Sequence, residues 1–529
     1  MRYLLVNPFY PVSENPSPPL GLAFLAAALE RAGIEVRVLD LVVFPYTIDL
    51  LEELLNDFQP DIVGVTSVTM SFDQAIGVVQ DVKRIAPGLV TVMGGPHVSF
   101  RARETMEEYP ALDFIVMGEG EEAIVELAGA VEKGAGYGEI AGLAWRDGDR
   151  INLTAARPPG IDVDTLPRPA RHLLPLGRYR TLGMAISMTS SRGCPFNCIF
   201  CVGRKMVGAK VRYRDPISVV DELEYLSSLN FIQVNMADDL FTANKKHCLG
   251  VCDEILRRGL KTKWTSFARV DTVSPEVLTR MKEAGCTAVS FGVETGNREI
   301  LKTIRKGITL EQVEAAVKMC VEVGITPHAS FILGLPGETP ETLKETVAYG
   351  EKLKSLGVSH GFHLLAPFPG TRVREESQAY GLKILTDDWR EYHANRAIVA
   401  TETVSREMLD DVVIQWEKNF DAYLGWLKER LEAGLASEEE AWPLINLERI
   451  VLIYDLMMAR VIEEKGSWPA ADDASAASEH LDRLVDRVKE ATPKSRELVR
   501  DTLSSALEKG HLRRLEAQGL VRWEWVDYL

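Results

Sequence analysis

The sequence predicts an α/β protein in three parts: a doubly wound parallel sheet, a second β/α series closing into a partial barrel, and a helical C-terminal region. Three observations carry this. Apolar strand-like runs alternate with amphipathic helical runs over residues 1–150, six further strand-like runs joined by helices occupy residues 180–400, and from residue 401 onward the strand signal fades. Strands that are nearly continuous in apolar residues and separated by helices belong in parallel sheets covered on both faces.

In the first part RYLLVN (2–7) is a strand ending at Asn7-Pro8, and GLAFLAAALERAG (21–33) is a helix closed by Gly33. VRVLDL, IDLLEELLNDF, DIVGVTSV, SFDQAIGVVQDVKRIA, LVTVMGG and DFIVMGEGE continue the alternation. The pattern is that of a Rossmann- or flavodoxin-like sheet, in which ligands bind at the carboxyl ends of the strands. Those ends carry Asn7, Ser67, Thr69, Gly94-Gly95-Pro96-His97 and Gly118-Glu119-Gly120-Glu121. Small residues at neighbouring strand ends admit close approach of a large ligand, although tight βα turns account for them equally well.

Residues 151–179 hold five prolines with little periodicity and read as a linker lying over a surface. The barrel strands are expected in MAISMTSS, FIQVNMADDLF, KWTSFARVD, AVSFGVET, HASFILGLPGET and HGFHLLAPFPG. Barrel sites lie at strand C-terminal ends, where Asp238-Asp239, Arg269, Glu294 and Gly334 fall. In residues 401–529, Trp416, Phe420, Tyr423 and Leu427 recur at helical spacing. A small polar stretch, 466–479, reads as a mobile loop, and Trp416, Trp426, Trp442, Trp523 and Trp525 are assigned to helices as core or pocket-closing aromatics.

The chain has 529 residues, with 60 Lys+Arg against 77 Asp+Glu and a net charge of −17. Such an acidic chain lacks the basic face that non-specific nucleic-acid binding needs. No apolar run approaches the roughly 18 residues of a membrane span, and MRYLLVNPFYP reads as a first strand rather than a signal peptide. A cytoplasmic location is expected.

Seven cysteines, an odd number thinly spread, argue against a disulfide framework. Cys248 and Cys252, at i and i+4 of a helical pattern, and Cys286 and Cys320 read as apolar core positions. Cys194, Cys198 and Cys201 stand apart, in a C-x3-C-x2-C loop directly after a strand. Soft thiolates suit an iron–sulfur cluster or zinc. Structural zinc takes four ligands, commonly as paired C-x2-C units, and no second paired unit is present.

This cysteine loop resembles the signature of the radical S-adenosylmethionine (radical SAM) superfamily. The resemblance implies a 4Fe–4S cluster held by Cys194, Cys198 and Cys201, with one iron left for SAM and a TIM-like partial (β/α)6 barrel. It implies SAM contacts by Phe200 (near the adenine), Asp238 or Asp239 (amino group), Arg269 and Glu294 (carboxylate and ribose) and Gly334 (adenine). Ala237-Asp238-Asp239 departs from the Gly-Gly-Glu of many members, and a pair of acidic helix N-caps is the alternative there. Pro18-Pro19-Leu20-Gly21-Leu22, Gly94–His97 and Gly118–Glu121 resemble the cobalamin-binding domain of one radical SAM subclass. That implies corrin contacts by Asn7, Ser67, Thr69, Gly94, Gly95, His97, Gly118 and Glu119. The Asp-x-His-x-x-Gly cobalt motif is absent, and for His97 a structural role is favoured over cobalt ligation. Arg204, Lys205, Arg212 and Arg214 form a basic patch, read as a phosphate or substrate contact or as a solvated face.

The subclass includes cobalamin-dependent methylases and the anaerobic Mg-protoporphyrin monomethyl ester cyclases. The resemblance therefore implies reductive SAM cleavage to a 5′-deoxyadenosyl radical and C-methylation of an unactivated carbon in a small, hydrophobic substrate. A flavodoxin- or ferredoxin-type electron donor is implied as partner. Oxidative cyclisation or coupling is the alternative reaction, and a non-catalytic metal-stabilised scaffold or sensor the alternative class.

Overall fold

A computed structural model describes residues 1–11, 16–470 and 477–529. Its first sheet contains β1 (Arg2–Asn7), β2 (Glu35–Asp40), β3 (Ile62–Thr66), β4 (Val90–Gly94), β5 (Phe114–Val116), β6 (Leu143–Asp147) and β7 (Arg150–Leu153). The order is β2-β1-β3-β4-β5-β6-β7. The first five strands are parallel, as expected, because each pair is bridged by a crossover helix. β6 and β7 are antiparallel additions at one edge, and the sheet runs to Leu153, past residue 150. The strand order reverses at β1, so the strand ends of β1 and β3 form the crevice where such sheets bind ligands.

The second sheet contains β8 (Ile186–Met188), then, after a short antiparallel ribbon of β9 (Ser191–Arg192) and β10 (Arg212–Tyr213), β11 (Val234–Met236), β12 (Trp264–Ala268), β13 (Cys286–Glu294), β14 (Thr326–Leu333) and β15 (Ser359–Leu364). Six strands in the order β15-β14-β13-β12-β11-β8, all parallel, make an open barrel. Helices such as Lys245–Arg258 and Leu310–Val323 cover its outside, capped by Asn244 and by Thr309 with Gln312. Cys248, Cys252, Cys286 and Cys320 are buried and unpaired, as their apolar settings required.

The proline-rich segment is not a surface tether throughout. Its second half is apolar, so Ala170, Leu174 and Leu176 join the core that also holds Leu5 and Val92 of the first sheet and Ile186 of the barrel. Arg171 is buried there with Glu222 at 2.7 Å. The two parallel sheets thus share one continuous core. Outside it, Gly370 (φ +81) sits beneath the Phe100 ring, where a Cβ would lie 2.4 Å from Cγ.

The C-terminal region is not wholly helical. Beside the helices Arg406–Glu432, Glu438–Met458, Ala477–Lys489 and Arg496–Glu508 lies a small antiparallel sheet. Its strands are β18 (Ser467–Pro469), β19 (Leu512–Ala517) and β20 (Leu520–Trp525), numbered after the two-residue ribbon β16 (Lys383–Ile384) and β17 (Val399–Ala400). Trp523 and Trp525 are therefore strand residues, buried because alternate positions of VRWEW face the helices. Trp416, Trp426 and Trp442 are instead about half exposed. The expected loop at 466–479 begins as β18, and residues 471–476 lie outside the described residues.

Arg178, on the helix Leu176–Thr181 that leads into the barrel, ties the first part to the C-terminal region. Its guanidinium donates to Asp527 Oδ1 (2.7 Å), Glu463 Oε1 (2.8 Å) and the Val43 carbonyl (3.0 Å), and lies 4.0 Å from the Phe44 ring centroid. Arg178→Met keeps the stem but strips two carboxylates of their cation. It is expected to cost about 3 kcal/mol in urea denaturation and to make the segment beyond residue 460 the first to yield to protease.

Candidate active site

The site grows from the end of β8. The ribbon of β9 and β10 closes a loop, residues 193–211, that carries all three clustered cysteines. Its base is fixed from below by the end of β11. Asp238 accepts from the Ser190 N–H, the Ser190 hydroxyl and the Ser191 hydroxyl, each at 2.6 Å. Burial still raises its pKa, against those bonds. Asp239 accepts from the Gly193 N–H at 2.9 Å. Neither aspartate is a helix N-cap: Asn244 caps the helix that follows, so the capping alternative fails.

Gly193 (φ +119) must be glycine, because a Cβ would lie 2.5 Å from the Lys210 carbonyl oxygen. Further on, the Ile199 N–H donates to the Ile304 carbonyl and the Ile199 carbonyl accepts from Val373. The cysteine loop is thus held at its start by the two aspartates and at its middle by backbone. The Gly203 N–H donates to Cys201 Sγ at 3.4 Å. Among the described residues no three His, Cys, Asp or Glu side chains form a single-ion site of the kind zinc requires.

The barrel mouth surrounds this loop with paired charges. Arg269, at the end of β12, grips Asp271 through two 3.0 Å bonds and lies 3.5 Å from the Phe196 ring centroid, under the cysteine loop. Glu294, ending β13 with φ +70, accepts from Lys306 Nζ at 2.5 Å, and both are buried. Gly292 makes room for this pair, since a Cβ there would meet Glu294 Oε1 at 2.3 Å. The Lys306 ammonium also lies 5.9 Å from the Phe200 ring centroid. Gly334 (φ +85) donates its N–H to Glu338 Oε2 at 2.5 Å, which closes the turn after β14.

Phe200, Phe267, Ser290, Gly292, Glu294, Ser330 and His363 are among the residues lining a cavity of about 330 Å³ at this mouth. Asp238, Asp239, Arg269 and Gly334 stand behind or beside it, outside its lining.

In the first sheet a second cavity, of about 280 Å³, opens between the strand ends and the helix Leu20–Arg31. Gly94, Gly95, Gly118 and Glu119 line it, along with Gly21, Gly64 and Gly120; Asn7, Ser67, Thr69 and His97 do not. Asn7 donates to Asp40 Oδ1 at 2.8 Å. Ser67 sits under Gly95, where a Cβ would lie 2.3 Å from the Ser67 carbonyl oxygen. His97 Nδ1 meets Thr69 Oγ1 at 3.2 Å, while its ring stacks on Phe72 (4.2 Å) and abuts Trp389 (4.8 Å). Burial, with help from Arg101 and Arg374, drops the His97 pKa to about 3, so the ring is neutral.

The cysteine-loop region contributes to the lining of both cavities. Arg192, Met206 and Val207 of the cysteine-loop region line the first-sheet cavity. Glu119 accepts from Arg212 (2.9 Å through each oxygen) and from Arg192 (3.3 Å), and Arg192 also reaches Glu121 at 2.7 Å. Of the basic patch, Arg212 and Arg214 are therefore tied to carboxylates rather than free for phosphate, while Arg204 and Lys205 are exposed. Arg212 further donates to the Ile161 and Val207 carbonyls, Arg214 pairs with Glu222, and Lys205 donates to the Gly370 carbonyl. Arg192, Lys306 and Glu338 escaped the sequence reading. Their signals were slight: an arginine just before Gly-Cys, a lysine twelve residues after Glu294, and a glutamate four after Gly334.

Three thiols on a loop at a barrel's strand ends, with flanking residues of that loop lining the crevice of a second parallel sheet, define a two-domain cofactor enzyme. A B12 binding domain model matches residues 11–128 and a radical SAM superfamily model residues 188–350. The chain is 36% identical over 400 residues (74% of this chain, 86% of the relative) to a protein of Pyrococcus horikoshii described as an uncharacterized methyltransferase. It is 32% identical over 525 residues (92% and 85%) to the anaerobic magnesium-protoporphyrin IX monomethyl ester cyclase of Cereibacter sphaeroides. Among solved structures it is similar to the radical SAM methyltransferase TsrM of Kitasatospora setae with cobalamin and a 4Fe–4S cluster bound, at 25% identity, 74% and 84% coverage and TM-score 0.62. OxsB, a cobalamin-dependent radical SAM enzyme, shares the fold over 96% of this chain and 81% of its own, at 19% identity and TM-score 0.69. The chain belongs to the cobalamin-binding radical SAM family. It is an enzyme whose cofactors are a 4Fe–4S cluster, S-adenosylmethionine and cobalamin, and the scaffold alternative falls away.

Glu338 gives the site a pH signature. Burial lifts its pKa from 4.5 to about 7, although the Gly334 N–H pulls it down. The folded state therefore holds this proton more tightly than the unfolded chain. The group's stabilisation is complete below pH 4.5 and is lost as pH rises through about 7. Glu338→Gln keeps an acceptor for Gly334 and cannot ionise. Melting curves across a pH series should show a flatter decline toward pH ~8 for this variant, which gains about 2 kcal/mol over the parent there.

Proposed function

We propose that this enzyme transfers a methyl group to an unactivated carbon of a small, hydrophobic organic substrate. The observation that carries the reading is the junction itself: the cysteine loop sits between the barrel cavity and the first-sheet cavity, clasped to the latter through Glu119. When bound, the cluster and SAM supply a carbon-centred radical and cobalamin carries the methyl group, chemistry that no acid–base side chain achieves on an unactivated carbon at neutral pH.

The residues fit these groups. Cys194, Cys198 and Cys201 are the thiols for the cluster, with Phe200 beside them in the barrel cavity. Glu294 and Lys306 present a carboxylate and an ammonium, the complements of an amino-acid zwitterion such as the methionyl end of SAM. Asp238 spends its carboxylate on Ser190 and Ser191, so its role is to hold the cysteine loop; Asp239 has one oxygen outside its bond to Gly193 for an ammonium. Arg269, locked on Asp271 and stacked on Phe196, stiffens the loop from below. In the first domain the glycines Gly64, Gly94, Gly95, Gly118 and Gly120 line an apolar cavity that admits a bulky nucleotide tail. His97, neutral and enclosed by Phe72 and Trp389, buttresses the Gly94-Gly95 turn. A flavodoxin- or ferredoxin-type donor reduces the cluster. No described helix is long and apolar enough to cross a membrane.

The cyclase relative, aligned over 92% of the chain, favours a second reading, oxidative cyclisation without methyl transfer. Assay with SAM bearing a deuterated methyl group decides: three deuterons in the product support methylation, and unlabelled product with 5′-deoxyadenosine favours cyclisation. Cys198→Ala should purify with most of its iron gone and abolish SAM cleavage. Lys306→Met should raise the KM for SAM by about tenfold or more while iron content stays that of the parent; an unchanged KM would remove Lys306 from the site.

A further inference from the structure

The first-sheet cavity contains a group that methyl transfer does not use. Tyr3, on β1, is fully buried, and its ring lies over β3 at Gly64, where a Cβ would meet Tyr3 Cε1 at 2.8 Å and Oη at 3.1 Å. Tyrosine and glycine are thus a matched pair. The ring lines the cavity together with Leu5, Leu22, Val92 and Ile124. Its hydroxyl has no hydrogen-bond partner among the described residues. An orphaned buried hydroxyl is costly and rare in folded proteins. Phenylalanine would fill the same space without that cost. The hydroxyl is accounted for if its partner arrives with a ligand, and burial, which pushes the phenol's pKa up, keeps it a donor.

The cavity's form narrows the ligand. About 280 Å³ of mainly apolar space behind a rim of glycines suits a flat aromatic ring. Corrinoids carry such a ring at the end of their nucleotide loop. In cobalamin it is a dimethylbenzimidazole, whose second ring nitrogen becomes a free acceptor once it leaves cobalt. We propose that the Tyr3 hydroxyl donates to this ring nitrogen, so that the enzyme selects corrinoids with a nitrogen-heterocycle lower base over those with a phenolic one. The inference rests on the reading that this domain takes a corrinoid with its base detached from the metal.

Full-length protein and Tyr3→Phe are titrated with cobalamin and with a p-cresolyl cobamide, which has no ring nitrogen, and bound corrinoid is read by absorbance after equilibrium dialysis. The parent should prefer cobalamin about tenfold, the equivalent of one good hydrogen bond. Tyr3→Phe should lose that preference with its p-cresolyl affinity unchanged, and without corrinoid it should melt at or above the parent's temperature. An equal cobalamin preference in both proteins, or a lower melting temperature for empty Tyr3→Phe, overturns the assignment while leaving corrinoid binding intact. Failure of the parent to bind either corrinoid overturns the assignment together with the reading beneath it.

Discussion

Two parallel sheets can share a reaction only if the same ends of both face one another, and here a carboxylate between two guanidiniums enforces that. Glu119 leaves the end of β5, while Arg192 and Arg212 belong to the ribbon that closes the cysteine loop. Arg192 is separated from Cys194 by a single glycine. The position of the cofactor crevice in one domain is therefore transmitted to the first cluster thiol through about two residues of constrained backbone. The third contact, Arg192 over the Phe24 ring at 4.8 Å, adds the helix under the crevice to the same joint.

The interior holds several further paired ions. Arg171 with Glu222 and Arg214, Glu294 with Lys306, and Arg178 with Glu463 and Asp527 all lie where unpaired charge would be costly. Buried pairs contribute little net stability relative to apolar packing of the same volume. Their directional bonds instead fix geometry. Arg171 with Glu222, and Arg178 with Glu463 and Asp527, join segments far apart in the chain, whereas Arg214 with Glu222 and Lys306 with Glu294 close shorter spans.

What could be read in advance follows from range. The cysteine loop, the five parallel strands of the first sheet and the six of the barrel announce themselves through local spacing and apolar runs, and all appear where expected. β6 and β7 were hidden because GLAWRDGDRINL alternates only weakly around its turn. β18–β20 were hidden because LRRLEA and LVRWEW are short and charged, and LVRWEW pairs on its other side with Ser467–Pro469 some fifty residues back. Asp238 was singled out for its position, yet its three hydroxyl and amide donors come from residues 190 and 191, a partnership no local pattern reveals. Lys306 and Tyr3 look like a helix-terminal charge and an ordinary strand aromatic until the fold brings Glu294 to one and Gly64 to the other.

Gly370 also bears on how such a molecule can be inherited. The Phe100 ring of the first domain occupies the place a side chain would take, and Lys205 of the cysteine loop donates to the same glycine's carbonyl. A hybrid carrying a foreign barrel with any larger amino acid at this spot would collide with the resident aromatic. Recombination between relatives must move the two positions as a unit, which makes the domain pair a single heritable module.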